Sequence, residues 1–140
     1  MKTPDHLNRF LDAQASSYEQ ALSEIKSGRK RSHWMWFIFP QLQGLGYSET
    51  ARFYAIKDLE EAQLYLQHPV LGPRLVEISK AMLALEEKTA NQILGNPDDL
   101  KLRSSMTLFA AVPGADSIFK AVLDKYYKGE ADEKTLQLLK

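Results

Sequence analysis

The chain has 140 residues, enough for one domain with a real core. Its 18 basic and 18 acidic residues cancel, which argues against a surface given over wholly to nucleic acid, although a local basic patch is compatible with zero net charge. The absence of cysteine excludes disulfides, thiolate chemistry and sulfur-ligated zinc; with no signal-type apolar run in MKTPDHLNRF and no membrane-length stretch, the expectation is a cytoplasmic protein.

Leu7, Phe10, Leu11 and Gln14 recur at helical spacing. Ser16 with Glu19 has the form of a capping box and predicts a second helix start. Tyr18, Ala21, Leu22 and Ile25 give that helix an apolar stripe, and Gly28 closes it. Arg29-Lys30-Arg31-Ser32-His33 leads into Trp34-Met35-Trp36-Phe37-Ile38-Phe39-Pro40, where periodicity cannot separate a buried strand from a buried helix. Ser32 as cap and Pro40 as terminator favour about two turns of helix. Residues 41–47 are loop, with Gly44 and Gly46 suited to positive φ or close backbone approach.

Ser48 can cap the next helix, with Glu49 at its positive end. Asp58 with Glu61 signals another, carrying Ala62, Tyr65 and Leu66 as far as His68-Pro69. Leu75, Ile78, Met82 and Leu85 share one face of a helix with Pro69 or Pro73 in its first turn. Thr89 opens a short helix that Gly95 closes. Asn96 and Pro97 read as cap and first helical residue, followed by Asp98 and Asp99 and the apolar face of Leu102, Met106 and Phe109. Beyond Pro113-Gly114, Ile118, Val122 and Tyr126 mark a helix ended by Gly129, and Asp132 caps a last one. No period-2 strand with hairpin punctuation occurs. The expected fold is all-α: a compact single domain, residues 1–140, of about seven to nine short helices.

Residues 28–54 concentrate the chemistry. Arg29, Lys30 and Arg31 stand before a helix start, where free N–H groups and the dipole suit phosphate or carboxylate. A solvated basic turn is the plain alternative. Trp34 and Trp36 are candidates for a pocket wall that stacks a planar ligand, although most aromatics here belong to a core. Gln41, Gly44, Gly46, Ser48, Glu49 and Tyr54 form a polar edge, and Lys101 and Ser104 fall at helical spacing on a segment rich in serine. Gly44-Leu45-Gly46 lacks the strand and third glycine of a dinucleotide fingerprint. His6, His33 and His68 are dispersed, so no metal site and no cofactor is expected. If there is catalysis, His33 or Glu49 would move the proton.

Ser32 to Gln41 (SHWMWFIFPQ), GLG at 44–46, Tyr65 to Leu75 (YLQHPVLGPRL) and Lys101 to Phe109 (KLRSSMTLF) resemble the bacterial domain-of-unknown-function family 1810. Members sometimes carry the label calpastatin, but the aromatic-poor repeats of calpain inhibitors have no counterpart here. The resemblance implies a small all-helical domain and no transferable catalytic residue. A shorter likeness, through Phe39-Pro40, Gly46, Ser48-Glu49 and Tyr54, is to the NADAR family, helical proteins associated with NAD and ADP-ribose metabolism. It lacks that family's E-H-Y-Y-Q-A run. Two functions follow as expectations. One is a pocket for a phosphorylated or nucleotide-like small molecule; the other is a non-catalytic interaction or regulatory module. No membrane and no specific nucleic acid partner is expected, and the oligomeric state is unknown.

Overall fold

The computed structural model describes residues 7–140, and His6 lies outside them. Nine helices make up the regular structure among the described residues: α1 (Asn8–Lys26), α2 (Met35–Ile38), α3 (Glu49–Phe53), α4 (Leu59–Gln67), α5 (Leu71–Ala84), α6 (Ala90–Leu94), α7 (Asp98–Ala110), α8 (Ile118–Tyr127) and α9 (Glu133–Leu139). The all-α expectation holds. A single parallel bridge, Leu42 to Ile56, is the one piece of β pairing among them. It closes a loop around α3: Ile56 N–H donates to Gln41 O at 2.8 Å and Gln43 N–H to Ile56 O at 2.8 Å.

Four of the helix starts read from the sequence carry side-chain caps. Ser48, Asp58, Thr89 and Asp132 each accept from the backbone N–H three residues on, and Thr89 completes a capping box with Gln92. Three boundaries differ from expectation. Ser16–Glu19 starts nothing, because α1 runs unbroken for 19 residues with Phe10, Gln14, Tyr18, Ala21 and Ile25 buried along one side. Ser16 and Glu19 are exposed, where a serine costs a helix little. Ser32 does not cap α2; its hydroxyl goes to Glu24 instead, and Trp34 flanks the helix. Pro97 flanks α7 rather than opening it.

The helices enclose one apolar core. The helix α1 packs on α5 and α2, α5 also on α4 and α8, and α7 on α4, α6, α8 and α9. Deep in it sits a polar hub. Gln14 donates to Phe37 O at 2.8 Å and to the Tyr65 hydroxyl at 3.0 Å, and accepts from Arg74 at 3.4 Å. One buried side chain thus ties together groups from α2, α4 and α5, among them the buried Tyr65 hydroxyl.

Candidate functional site

At the end of α1, Gly28 takes φ +87° and turns the chain. The turn is fastened by Glu24, buried on the last turn of α1. Its Oε1 accepts from Arg31 N–H at 2.7 Å, Ser32 N–H at 3.1 Å and the Trp34 indole N–H at 2.9 Å, and its Oε2 accepts from the Ser32 hydroxyl at 2.6 Å. Burial alone would push the carboxyl up. Hydrogen bonds from Ser32, Arg31 and Trp34 outweigh it and hold the group at about 2.

The fastened turn aims Lys30 inward. Its ammonium lies 2.9 Å from Asp98 Oδ2 and 5.1 Å from the ring centre of Trp34. Asp98 Oδ1 in turn holds Lys101 at 3.2 Å, and the Lys101 ammonium lies 4.1 Å above the ring of Trp36. Two tryptophans thus each face a lysine, and one aspartate joins the lysines. Trp34 is 2% exposed and is core, whereas Trp36 is partly open.

Lys101 and Trp36 stand between two hollows. One, of about 150 Å³, is lined by Lys30, His33, Trp34, Trp36, Thr50 and Asp98 among others. The other, of about 240 Å³, is lined by Trp36, Gln41, Leu45, Leu100, Ser104 and Lys134 among others. His33, Trp34, Trp36, Gln41, Lys101 and Ser104, all singled out from sequence, therefore meet here. Ser104 is already engaged, with its hydroxyl 3.2 Å from both Leu100 O and Asp132 Oδ2.

Other candidates lie elsewhere. The side chains of Arg29 and Arg31 are exposed and line neither hollow. Ser48 caps α3, and Glu49, exposed in its first turn, also lines neither hollow. Tyr54 packs among Phe10, Phe37 and Phe53. The space shared by Gly44, Gly46 and Tyr54 holds only about 10 Å³, too little for a ligand. His68 serves its turn, accepting at Nδ1 from Val70 and Leu71 N–H. Among the described residues no group of three or more His, Asp or Glu is placed to hold a metal.

Sequence reasoning missed Glu24 and the Lys30–Asp98 pair. Glu24 had one local sign: an acidic residue beside the buried stripe of α1, just before a turn rich in free N–H groups. The Lys30–Asp98 contact joins distant segments and had none.

Gly46 is a packing residue. A Cβ there would stand 2.6 Å from the Ala51 Cβ and 3.0 Å from Trp36 Cη2. We expect Gly46→Ala to displace the indole, shifting Trp36 emission and costing about 1–3 kcal/mol by denaturation. Unchanged emission and stability would show that the loop does not set the ring.

Two larger hollows are weaker candidates. The groove of about 860 Å³ beside α1, α3 and α4 is lined by charges of both signs, and Arg9 and Glu61 in it are engaged with Ala55 O, Lys57 N–H and each other. The groove of about 430 Å³ between α5 and residues 112–119 is walled largely by Leu66, Val76, Val112 and Phe119.

Residues 4–139 match the family described as "Protein of unknown function (DUF1810)". The chain belongs to that family. The DUF1810 resemblance read from the SHWMWFIFPQ and KLRSSMTLF segments is thereby shown. The crystal structure of the conserved hypothetical protein Rv1873 from Mycobacterium tuberculosis is 53% identical, with 95% of each chain covered and a TM-score of 0.93. The DUF1810 helical fold is therefore shared between the two chains. No curated protein compared with this DUF1810 chain matches it. Among the described residues no helix is long and apolar enough to cross a membrane.

Proposed function

We propose that this protein binds a small phosphorylated, nucleotide-like molecule in the cleft around Trp36 and Lys101. The observation that carries the reading is the Lys101 ammonium, 4.1 Å above a partly open tryptophan and sharing Asp98 with Lys30. The ring and the carboxylate position Lys101 in advance, so little side-chain entropy is left to lose on binding. Lys30, Lys101 and Lys134 outnumber the carboxylates of Asp98 and Asp132 at the walls, and an incoming phosphate replaces part of what Asp98 supplies. The open part of the indole offers a ligand apolar surface beside the Lys101 ammonium. An ADP-ribose-type molecule belongs to the same class. His33 lines the narrower hollow; Glu49 is set apart from it.

Titration with mononucleotides and ADP-ribose, followed by tryptophan emission and calorimetry, tests the reading. Saturable binding is expected. Lys101→Ala should weaken it at least tenfold, and Trp36→Phe should remove the optical signal while the fold persists. Absence of heat and of any emission change at millimolar ligand would sink the proposal.

A second reading, a non-catalytic docking face, draws on apolar side chains at the rim. Tyr47 is 73% and Leu100 54% exposed, and Leu136 and Leu138 of α9 are exposed as well. Light scattering decides whether that rim is covered by a second copy of the chain in solution.

A further inference from the structure

Resting on that reading, we propose that Gln41 selects the ring of the ligand: the cleft takes a mononucleotide with its base on the Gln41 side and its phosphate on the His33 side. Gln41 is 5% exposed, and its side-chain nitrogen Nε2 has no hydrogen-bond partner among the described residues. A buried amide left unpaired is costly and is seldom retained without a reason. The backbone at this position is fixed, because Gln41 O accepts from Ile56 N–H at 2.8 Å in the bridge that closes the α3 loop. Gln41 lines the wider hollow beside Trp36, Leu45 and Leu100, and it also borders the small space under Gly44 and Gly46. Its neighbour Ser104 is committed to Leu100 O and Asp132, which leaves the Gln41 amide as the uncommitted reader.

An amide carries donor and acceptor together, the combination that pairs with the edge of a heteroaromatic base. Apolar walls and an indole supply the surface on which such a ring lies. The narrower hollow shares the Trp36 and Lys101 wall and has aromatic surface of its own from Trp34 and Phe37. It adds Lys30, His33 and Thr50 against the one carboxylate Asp98, a set of donors suited to phosphate.

Calorimetry with the four ribonucleoside monophosphates, ribose 5-phosphate and inorganic phosphate, on the wild-type chain and Gln41→Leu, separates the two levels of the reading. At least one nucleotide should bind about tenfold or more tightly than ribose 5-phosphate. Gln41→Leu should erase that difference, leave ribose 5-phosphate unchanged, and raise the melting temperature because an unpaired amide is gone. A residue with a merely structural role would lower it. Gln41→Met, unbranched and of similar length, serves the same test if leucine does not pack. Equal binding of nucleotides and ribose 5-phosphate, or a difference that survives both substitutions, overturns the assignment of Gln41 while the phosphate site stands. Failure of every phosphate-bearing probe to bind overturns the cleft reading itself, and this inference with it.

Discussion

Glu24→Ala will unfold at a temperature lower by on the order of 10 °C, a loss of roughly 3 kcal/mol. The size follows from the donors left without an acceptor: Arg31 N–H, Ser32 N–H, the Ser32 hydroxyl and the Trp34 indole N–H. The lowering of the Glu24 carboxyl from 4.5 to about 2 points the same way. The sign is fixed as well. Between those two values the unfolded chain binds more protons than the folded one. The contribution is thus fully present above the unfolded value, falls away as pH drops through that window, and is absent below about 2. Wild-type stability should therefore decline on acidification in a limb that Glu24→Ala flattens. Glu24→Gln should fall between the two, since it keeps an acceptor for Arg31 N–H, Ser32 N–H and the indole but loses the charge. Thermal melts of the three proteins between pH 2 and 7 read all of this. Parallel acid limbs in wild type and Glu24→Ala would show that the carboxylate does not fasten the turn.

Gly72→Ala is expected to be the most damaging single methyl in the chain. A Cβ at 72 would stand 2.0 Å from Leu66 O and 2.9 Å from the Leu66 carbonyl carbon. Both obstructing atoms are backbone, so no rotamer change relieves the overlap. The backbone cannot retreat cheaply either, because Gly72 N–H is bonded to His68 O at 3.1 Å across the same tight joint between α4 and α5. Separating the helices would disturb Leu71 and Leu75, both buried. We expect a cost of about 3 kcal/mol or more, or no folded protein. Gly95→Ala is the control: among the described residues nothing lies within 4 Å of its Cβ, and its φ of +81° is unfavourable by about 1–2 kcal/mol. Equal denaturation midpoints for the two variants would mean that α4 and α5 are not in such close contact.

What the sequence disclosed and what it concealed separate by range. Ser48, Asp58, Thr89 and Asp132 act through bonds to residues three positions ahead, so their residue type at the head of an apolar segment, and for Asp58 its spacing to Glu61, announced those helix starts. The same spacing at Ser16 and Glu19 misled, because the buried side of α1 continues past them and local spacing carries no record of what packs alongside. On α7 the face of Leu102, Met106 and Phe109 was legible, but Ser104, Ser105, Thr107 and Leu108 are buried too. Ser104 and Thr107 bond to carbonyls one turn back, so they are buried without declaring it in hydropathy. At the cleft, Trp36, Gln41 and Lys101 were visible as residue types. Asp98 was read as a partner of its own helix dipole, and nothing local revealed that it also holds Lys30.

Gln14 works as a late latch. Its partners Phe37, Tyr65 and Arg74 lie 23, 51 and 60 residues away along the chain. Each contact closes a loop whose entropy must be spent first, and the amide is fully matched only when α2, α4 and α5 have all arrived. Until then water serves Gln14 better than the protein does. The hub therefore adds little to early collapse and most to the final step, rewarding the one arrangement in which all three helices are in place.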